Sequence, residues 1–213
     1  MYAFLSLALT AVVFTAAVLT VRHLSLPRGI LPFSFYLQSI YLAIVLALMA
    51  LFSRGNFRAF GFTRGSFRIT WHFFIWLLPV LAVGIGSAVA VHYSHAASTP
   101  FALSKLQIIL FVWIYSSFCE EVLTRGLLQT LLARALGENH FGVLVLLSGL
   151  FFGAMHLLVV RQMGPGVVVF TTYLGLVAAY YRQKTGSLLP AILMHMLFNI
   201  CGSAPIWIIQ WQR

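Results

Sequence analysis

Two adjacent glutamates are the residues of this chain best suited to chemistry. Glu120 and Glu121 interrupt a long apolar run, and the 213 residues hold only one other acidic residue, Glu138. On a helix, Glu121 and Arg125 share a face, in the favourable order of acid before base. Glu120 points about 100° away from Glu121, so Arg125 cannot neutralise both carboxylates equally. We therefore predict that Glu120 is a general base and Glu121 its structural neighbour; a packing network is the alternative.

A histidine lies on a second apolar segment, "SGLFFGAMHLLVV". Gly149, Gly153 and His156 fall on one helical face, where the glycines allow another backbone to approach closely. Phe152 lies one turn before His156 and is expected to pack against its ring. A lone histidine of this kind is more often a hydrogen-bonded packing residue, so this segment alone is a weak indication of a site.

A third segment, "ILMHMLFNICG", carries His195 and Asn199 four residues apart on one face. One such pair is also weak. Together with the other two polar faces, however, it places ionisable side chains on three apolar helices in the same half of the chain. Ionisable residues inside a membrane normally face the bundle interior and have partners, so the three segments predict one shared site.

The composition indicates an integral membrane protein. Hydrophobic residues make up 62% of the chain and charged residues 8%, against about 25% charged in soluble domains. The continuous apolar runs predict helices rather than barrel strands, and so an all-α polytopic transmembrane bundle of about seven spans. The predicted spans lie near residues 2–20, 35–53, 69–93, 106–122, 141–160, 165–181 and 188–209.

The net charge of +10 does not indicate a nucleic-acid partner, because the positions of the basic residues fit a signal for membrane topology. One short loop holds four arginines interleaved with aromatic residues, and the positive-inside rule places such a loop in the cytoplasm. The N-terminus is then predicted to be cytoplasmic as well. The residues concerned are Arg54, Phe57, Arg58, Phe60, Phe62, Arg64, Phe67 and Arg68.

The polar residues divide the chain into working parts. Residues 1–104 are predicted to be scaffold helices, 105–205 the catalytic helical core and 206–213 a short tail, all in one membrane unit. The first span lacks a basic start and a cleavage site, so we interpret it as a helix rather than a signal peptide. Cys119 and Cys201 are interpreted as small buried hydrophobes.

The three motifs resemble the signature of the CPBP family, the CAAX proteases and bacteriocin-processing enzymes that include the type II CAAX prenyl endopeptidase. The family pattern is E-E-x-x-x-R, then F-x-x-x-H, then H-x-x-x-N or H-x-x-x-D. This chain matches it in order over roughly residues 105–205. The matching residues are Glu120, Glu121, Arg125, Phe152, His156, His195 and Asn199.

The resemblance implies a role for each of these residues. Glu120 would activate a water that attacks a peptide carbonyl, with help from His156. His195 and Asn199 would hold the developing oxyanion. Glu121 and Arg125 would orient the motif helix.

Metal involvement is the main chemical alternative. Glu120, His156 and His195 could supply three zinc ligands and leave a fourth position open. The chain has no H-E-x-x-H motif, and a ligating Glu120 could not serve as the base. We therefore expect no cofactor, with zinc as the alternative.

Depth in the membrane gives a separate expectation. Counted from the cytoplasmic ends of the predicted spans, Glu120 and His156 lie about 20–25 Å deep, and His195 lies only about 10 Å deep. A shared site therefore requires the last span to begin before residue 188 or to tilt.

Three functions compete at this stage. The first is an intramembrane endopeptidase that cleaves lipidated, CAAX-like or membrane-embedded peptides within the lipid bilayer. The second is a non-catalytic immunity or regulatory protein with the same fold, and the third a proton-coupled transporter. The sequence leaves open the physiological substrate, the oligomeric state and the source membrane, whether bacterial or archaeal plasma membrane or eukaryotic endomembrane.

Overall fold

The structure is a computed structural model that describes residues 2–24, 31–94 and 104–211. Within these ranges the regular secondary structure is entirely helical. Between α2 and α3 the arginine-rich loop contains one 3₁₀ turn, Phe57–Phe60. The helices are α1 Tyr2–His23, α2 Phe33–Ser53, α3 Trp71–Ile75, α4 Leu78–Ser94, α5 Lys105–Leu136, α6 Phe141–Met155, α7 Val160–Met163, α8 Gly166–Thr185 and α9 Leu189–Trp211.

These helices confirm a polytopic, all-α membrane bundle of roughly seven spans. Six segments of the described chain are long and apolar enough to cross a bilayer. The remaining predicted span, 165–181, corresponds to α8, which is 20 residues long but ends in a polar stretch around Arg182 and Lys184. The protein is therefore an integral, multi-pass membrane protein.

Helix α5 differs most from its predicted bounds of 106–122. It continues to Leu136, which gives a helix of 32 residues. No proline interrupts it, and its middle section is buried inside the protein from Glu121 to Thr130. Two wider π-type stretches, Ile108–Ser116 and Val122–Leu128, flank the α-helical turn Ser117–Glu121. Such π segments are frequent at functional sites.

Close packing of α6 against α8 depends on glycines, as the sequence predicts. A Cβ on Gly149 would lie 2.6 Å from Leu176 Cδ2 and 2.9 Å from its backbone nitrogen, and a Cβ on Gly153 would collide with Thr172. In return, a Cβ on Gly175 would lie 2.8 Å from the carbonyl oxygen of Gly149. The two backbones can approach this closely only because these positions lack side chains.

The arginine-rich loop closes one end of the bundle. The backbone N–H of Leu188 donates to Gly61 O at 2.9 Å, and Ser187 Oγ donates to Thr63 O. Phe60 is fully buried, with the Arg134 guanidinium 4.9 Å from its ring centroid. The loop thereby covers the segment that leads into α9.

We predict that Gly149→Ala lowers the free energy of unfolding by about 1–3 kcal/mol, because the new methyl group would press on the α8 backbone. Chemical denaturation in mixed micelles measures this change. Gly142→Ala on the same helix is the control, since a Cβ there has nothing within 4 Å. Equal stability losses in the two variants would contradict this account of the α6–α8 contact.

Candidate active site

A fully buried ion pair is the foundation of the site. Arg125 Nη1 lies 3.1 Å from Glu121 Oε1, and neither side chain has any exposed surface. Nη1 also donates to Thr124 Oγ1 at 2.6 Å, and Nη2 donates to Gly175 O on α8 at 2.7 Å. The guanidinium carbon lies 4.5 Å from the ring centroid of Phe152. Arg125 therefore connects α5, α6 and α8 while it neutralises Glu121.

Glu121 also orients a histidine on α9. His195 Nδ1 lies 2.9 Å from Glu121 Oε1, and the histidine is 3% exposed. A carboxylate paired with Arg125 is ionised and can only accept hydrogen bonds, so Nδ1 of His195 carries the hydrogen. The opposite nitrogen, Nε2, consequently faces Glu120, at 3.9 Å from Oε2.

His156 is held in the same way by a backbone carbonyl. Its Nδ1 donates to Phe152 O at 2.9 Å, which leaves Nε2 directed at Glu120 Oε2 at 3.8 Å. Phe152 also packs against His156, with ring centroids 4.9 Å apart, as the sequence predicts. Its other neighbour is His195, edge-on at 5.5 Å. One aromatic ring thus fixes the separation of the two imidazoles.

Glu120 has two oxygens in different environments. Oε1 accepts hydrogen bonds from Ser116 Oγ at 2.6 Å and from Gln38 Nε2 at 3.2 Å. Oε2 is buried without a hydrogen-bond partner. Oε2 instead faces Nε2 of His156 and Nε2 of His195, at 3.8 and 3.9 Å. All three atoms carry lone pairs when the imidazoles are neutral. Such a cluster suits a species placed between them that donates hydrogens or carries positive charge.

Asn199 lies beside this centre with its amide group already engaged. Nδ2 donates to Val112 O at 3.2 Å and to Ser117 Oγ at 3.1 Å, both on α5. Both amide hydrogens therefore hold α9 against α5. The oxyanion role that the resemblance implies for Asn199 would require one of these bonds to be exchanged for a bond to substrate.

The predicted difference in depth is wrong, because His195 lies within contact distance of both glutamates. The estimate of about 10 Å assumed that α9 begins at the membrane surface. Instead, Ser187 and Leu188 are already buried beneath the arginine-rich loop. The chain enters the protein before α9 starts, and His195 reaches the level of Glu120.

Several site residues carry no recognisable signal in the sequence. Gln38 comes from α2, far from the three motifs, and its contacts appear only once α2 and α5 are packed together. Gly175 contributes a carbonyl oxygen, which any residue type has. Ser116 and Ser117 are closer to recognition, because Ser116 lies one turn before Glu120 on the same helix.

The three converging atoms, Glu120 Oε2 and the Nε2 atoms of His156 and His195, resemble a zinc site in composition but not in spacing. The donor set of two imidazoles and a carboxylate suits zinc, and both Nδ1 groups have the hydrogen-bond partners that zinc ligands usually have. Tetrahedral zinc with bonds of about 2.0–2.1 Å would separate ligand atoms by about 3.3 Å. Separations of 3.8 and 3.9 Å are wider, and no group of three among the described residues has metal-binding geometry. As described, the side chains would have to move to hold zinc.

The fold and the site define a class of protein: a multi-pass helical membrane protein with carboxylates and imidazoles gathered inside its bundle. Residues 100–201 match the family described as type II CAAX prenyl endopeptidase Rce1-like. This match confirms the resemblance noted in the three motifs. The matched family implies a protease, and hence a hydrolase. Comparisons with curated proteins and with solved structures gave no match.

We predict that Arg125→Lys lowers the free energy of unfolding by about 2–4 kcal/mol. Lysine keeps the charge but cannot reach Glu121, Thr124 and Gly175 O together, so buried acceptors lose their donors. Denaturation in mixed micelles measures the loss. Arg134→Lys at the exposed end of α5 is the control, with a change within about 0.5 kcal/mol. An Arg125→Lys protein as stable as the wild type would contradict the central position of this arginine.

Proposed function

We propose that this protein is an intramembrane endopeptidase that cleaves lipidated, CAAX-like peptides with a water activated by Glu120. The observation that carries the proposal is the convergence of Glu120 Oε2 with two imidazole Nε2 atoms at 3.8 and 3.9 Å. Glu120 Oε2 and Glu121 Oε2 are both buried without a hydrogen-bond partner. Only the Glu120 oxygen also faces two imidazole nitrogens and belongs to a side chain that is partly exposed, as a general base needs.

A water between Glu120 and His156 is suited to attack. Hydrogen bonds of about 2.8 Å to Oε2 and to Nε2 would span the observed separation at an angle near 85°. In the proposed reaction the water oxygen bonds to the peptide carbonyl carbon while its proton passes to Glu120. Glu120 then gives this proton to the leaving amine nitrogen as the C–N bond breaks.

His195 is proposed to stabilise the oxyanion. Because Glu121 occupies Nδ1, the ring can donate from Nε2 only when it carries a second proton. Asn199 is proposed to hold α9 in place and to supply a second donor if substrate displaces Ser117.

The site must admit a peptide. The side chains of Glu120 and His156 are 13% and 20% exposed, whereas Glu121 is completely buried. Helix α6 ends just before His156 and continues as a short 3₁₀ turn with exposed Leu157 and Leu158. This end of α6 offers an apolar approach that suits a lipid-modified chain. The family implies a prenylated substrate in a membrane.

The orientation of the protein in the membrane stays a prediction, with the N-terminus on the cytoplasmic side.

We predict that Glu120→Gln lowers kcat for a quenched fluorescent prenylated peptide by about 10²–10⁴-fold, because the glutamine cannot accept the proton. Purified protein in detergent is the material for this assay. Glu138→Gln, which removes the exposed glutamate that follows α5, is the matched control and should keep wild-type activity. Full activity in Glu120→Gln would eliminate the proposed base.

We also predict that wild-type activity survives a zinc chelator. Water activation by Glu120 needs no metal, and the wide spacing of the three atoms supports this choice. Activity is measured after dialysis against the chelator and again after zinc is restored. Loss on chelation with recovery on zinc addition would instead assign Glu120, His156 and His195 as zinc ligands, with the metal polarising the carbonyl or the water.

A further inference from the structure

Helix α2 contributes a side chain to the base although it lies outside the family match. Gln38 is 6% exposed, and its Nε2 donates to Ser116 Oγ at 2.6 Å and to Glu120 Oε1 at 3.2 Å. We propose that Gln38 is a positioning residue that fixes the Glu120 carboxylate for catalysis. This inference rests on the function proposed above and names a residue that none of the three motifs contains.

The orientation of the Gln38 amide follows from its partner. An ionised carboxylate accepts hydrogen bonds and cannot donate them, so only the NH₂ side of the amide can face Glu120. The opposite arrangement would place two oxygens against each other in a buried site. Gln38 therefore acts as a donor, and a side chain of similar shape without a donor would not replace it.

Gln38 and Ser116 have different effects on the base. Ser116 lies four residues before Glu120 on the same helix, so its hydrogen bond moves with the glutamate. Gln38 reaches across from α2 and ties the carboxylate to a second element. With both donors on Oε1, the carboxylate cannot rotate freely, and Oε2 stays directed at the two histidines. Positioning of this kind can raise the rate without any contact to substrate.

Neighbouring contacts maintain the α2–α5 packing independently of Gln38. Ser39 Oγ and Tyr115 OH are hydrogen-bonded at 2.8 Å, and Phe35 packs on Tyr115 with ring centroids 4.9 Å apart. A Gln38→Met substitution should therefore remove the donor while α2 stays in register with α5. Because the packing is kept while the donor is lost, the positioning role can be tested on a folded protein.

The unusual composition of the chain permits a direct spectroscopic test. Because the chain has three glutamates and no aspartate, ¹³C-labelled glutamate in a Glu138→Gln background leaves two labelled side-chain carboxylates. Infrared spectroscopy assigns the Glu120 band by its loss in Glu120→Gln. Gln38→Met should shift that band and leave the Glu121 band in place. An unshifted Glu120 band would overturn the proposal, whatever the activity.

Kinetics give the second measurement. Gln38→Met should lower kcat by about 10- to 100-fold, the effect of one hydrogen bond to a charged group, with KM changed less than about twofold. Gln129→Met is the matched control, since Gln129 is also buried and donates from Nε2 to Ala179 O and Gln183 Oε1 on α8. It should cost stability and leave kcat unchanged.

The failures of the two proposals are distinguishable. Wild-type kcat in Gln38→Met, together with an inactive Glu120→Gln, would overturn the positioning role while the proposed base stands. Activity in Glu120→Gln itself would remove the base and, with it, the reason to position it. Equal losses of kcat in Gln38→Met and Gln129→Met would show that the loss comes from general destabilisation of the protein. That result would overturn the positioning role of Gln38.

Discussion

The cost of burying carboxylates in a membrane interior is the constraint on which this structure depends. An ionised side chain in that environment needs a charged partner and further hydrogen bonds. Arg125 meets this requirement for Glu121 with contacts to α5, α6 and α8. Because Glu121 is neutralised, it can hold His195 in one tautomer. The orientation of the His195 ring therefore depends on this ion pair.

Two identical residues next to each other acquire different properties because a helix turns by about 100° per residue. Glu121 points into the bundle, where all its surroundings are fixed. Glu120 points to a less enclosed region, where donors hold one oxygen and the other faces two imidazoles. The two glutamates thus have different environments, and our proposal assigns the structural role to Glu121 and the chemical one to Glu120.

Much of this arrangement could be predicted from the sequence. The apolar runs indicate the helices, and the spacing of Glu121 and Arg125 indicates their pairing, since both are local properties of a helix. Gly149 and Gly153 indicate a close backbone contact. These predictions succeed because each depends on residues within a few turns of one another.

The remainder depends on long-range packing. Gln38 reaches Glu120 across 82 positions of sequence, and no local pattern distinguishes it from a glutamine that faces lipid headgroups. The level of His195 depends on a loop that covers Ser187 and Leu188, so span lengths alone place this residue incorrectly. The full length of α5 also exceeds the prediction, because its second half is buried by protein rather than by lipid.

The most direct test of the central claim is mass spectrometry of a prenylated CAAX-like peptide after incubation with the purified protein in H₂¹⁸O. The account predicts two fragments, with one ¹⁸O in the newly formed carboxyl group of the N-terminal fragment, because water is the nucleophile. A peptide recovered intact, although the same folded protein binds it, would contradict the account and assign the site to recognition rather than hydrolysis.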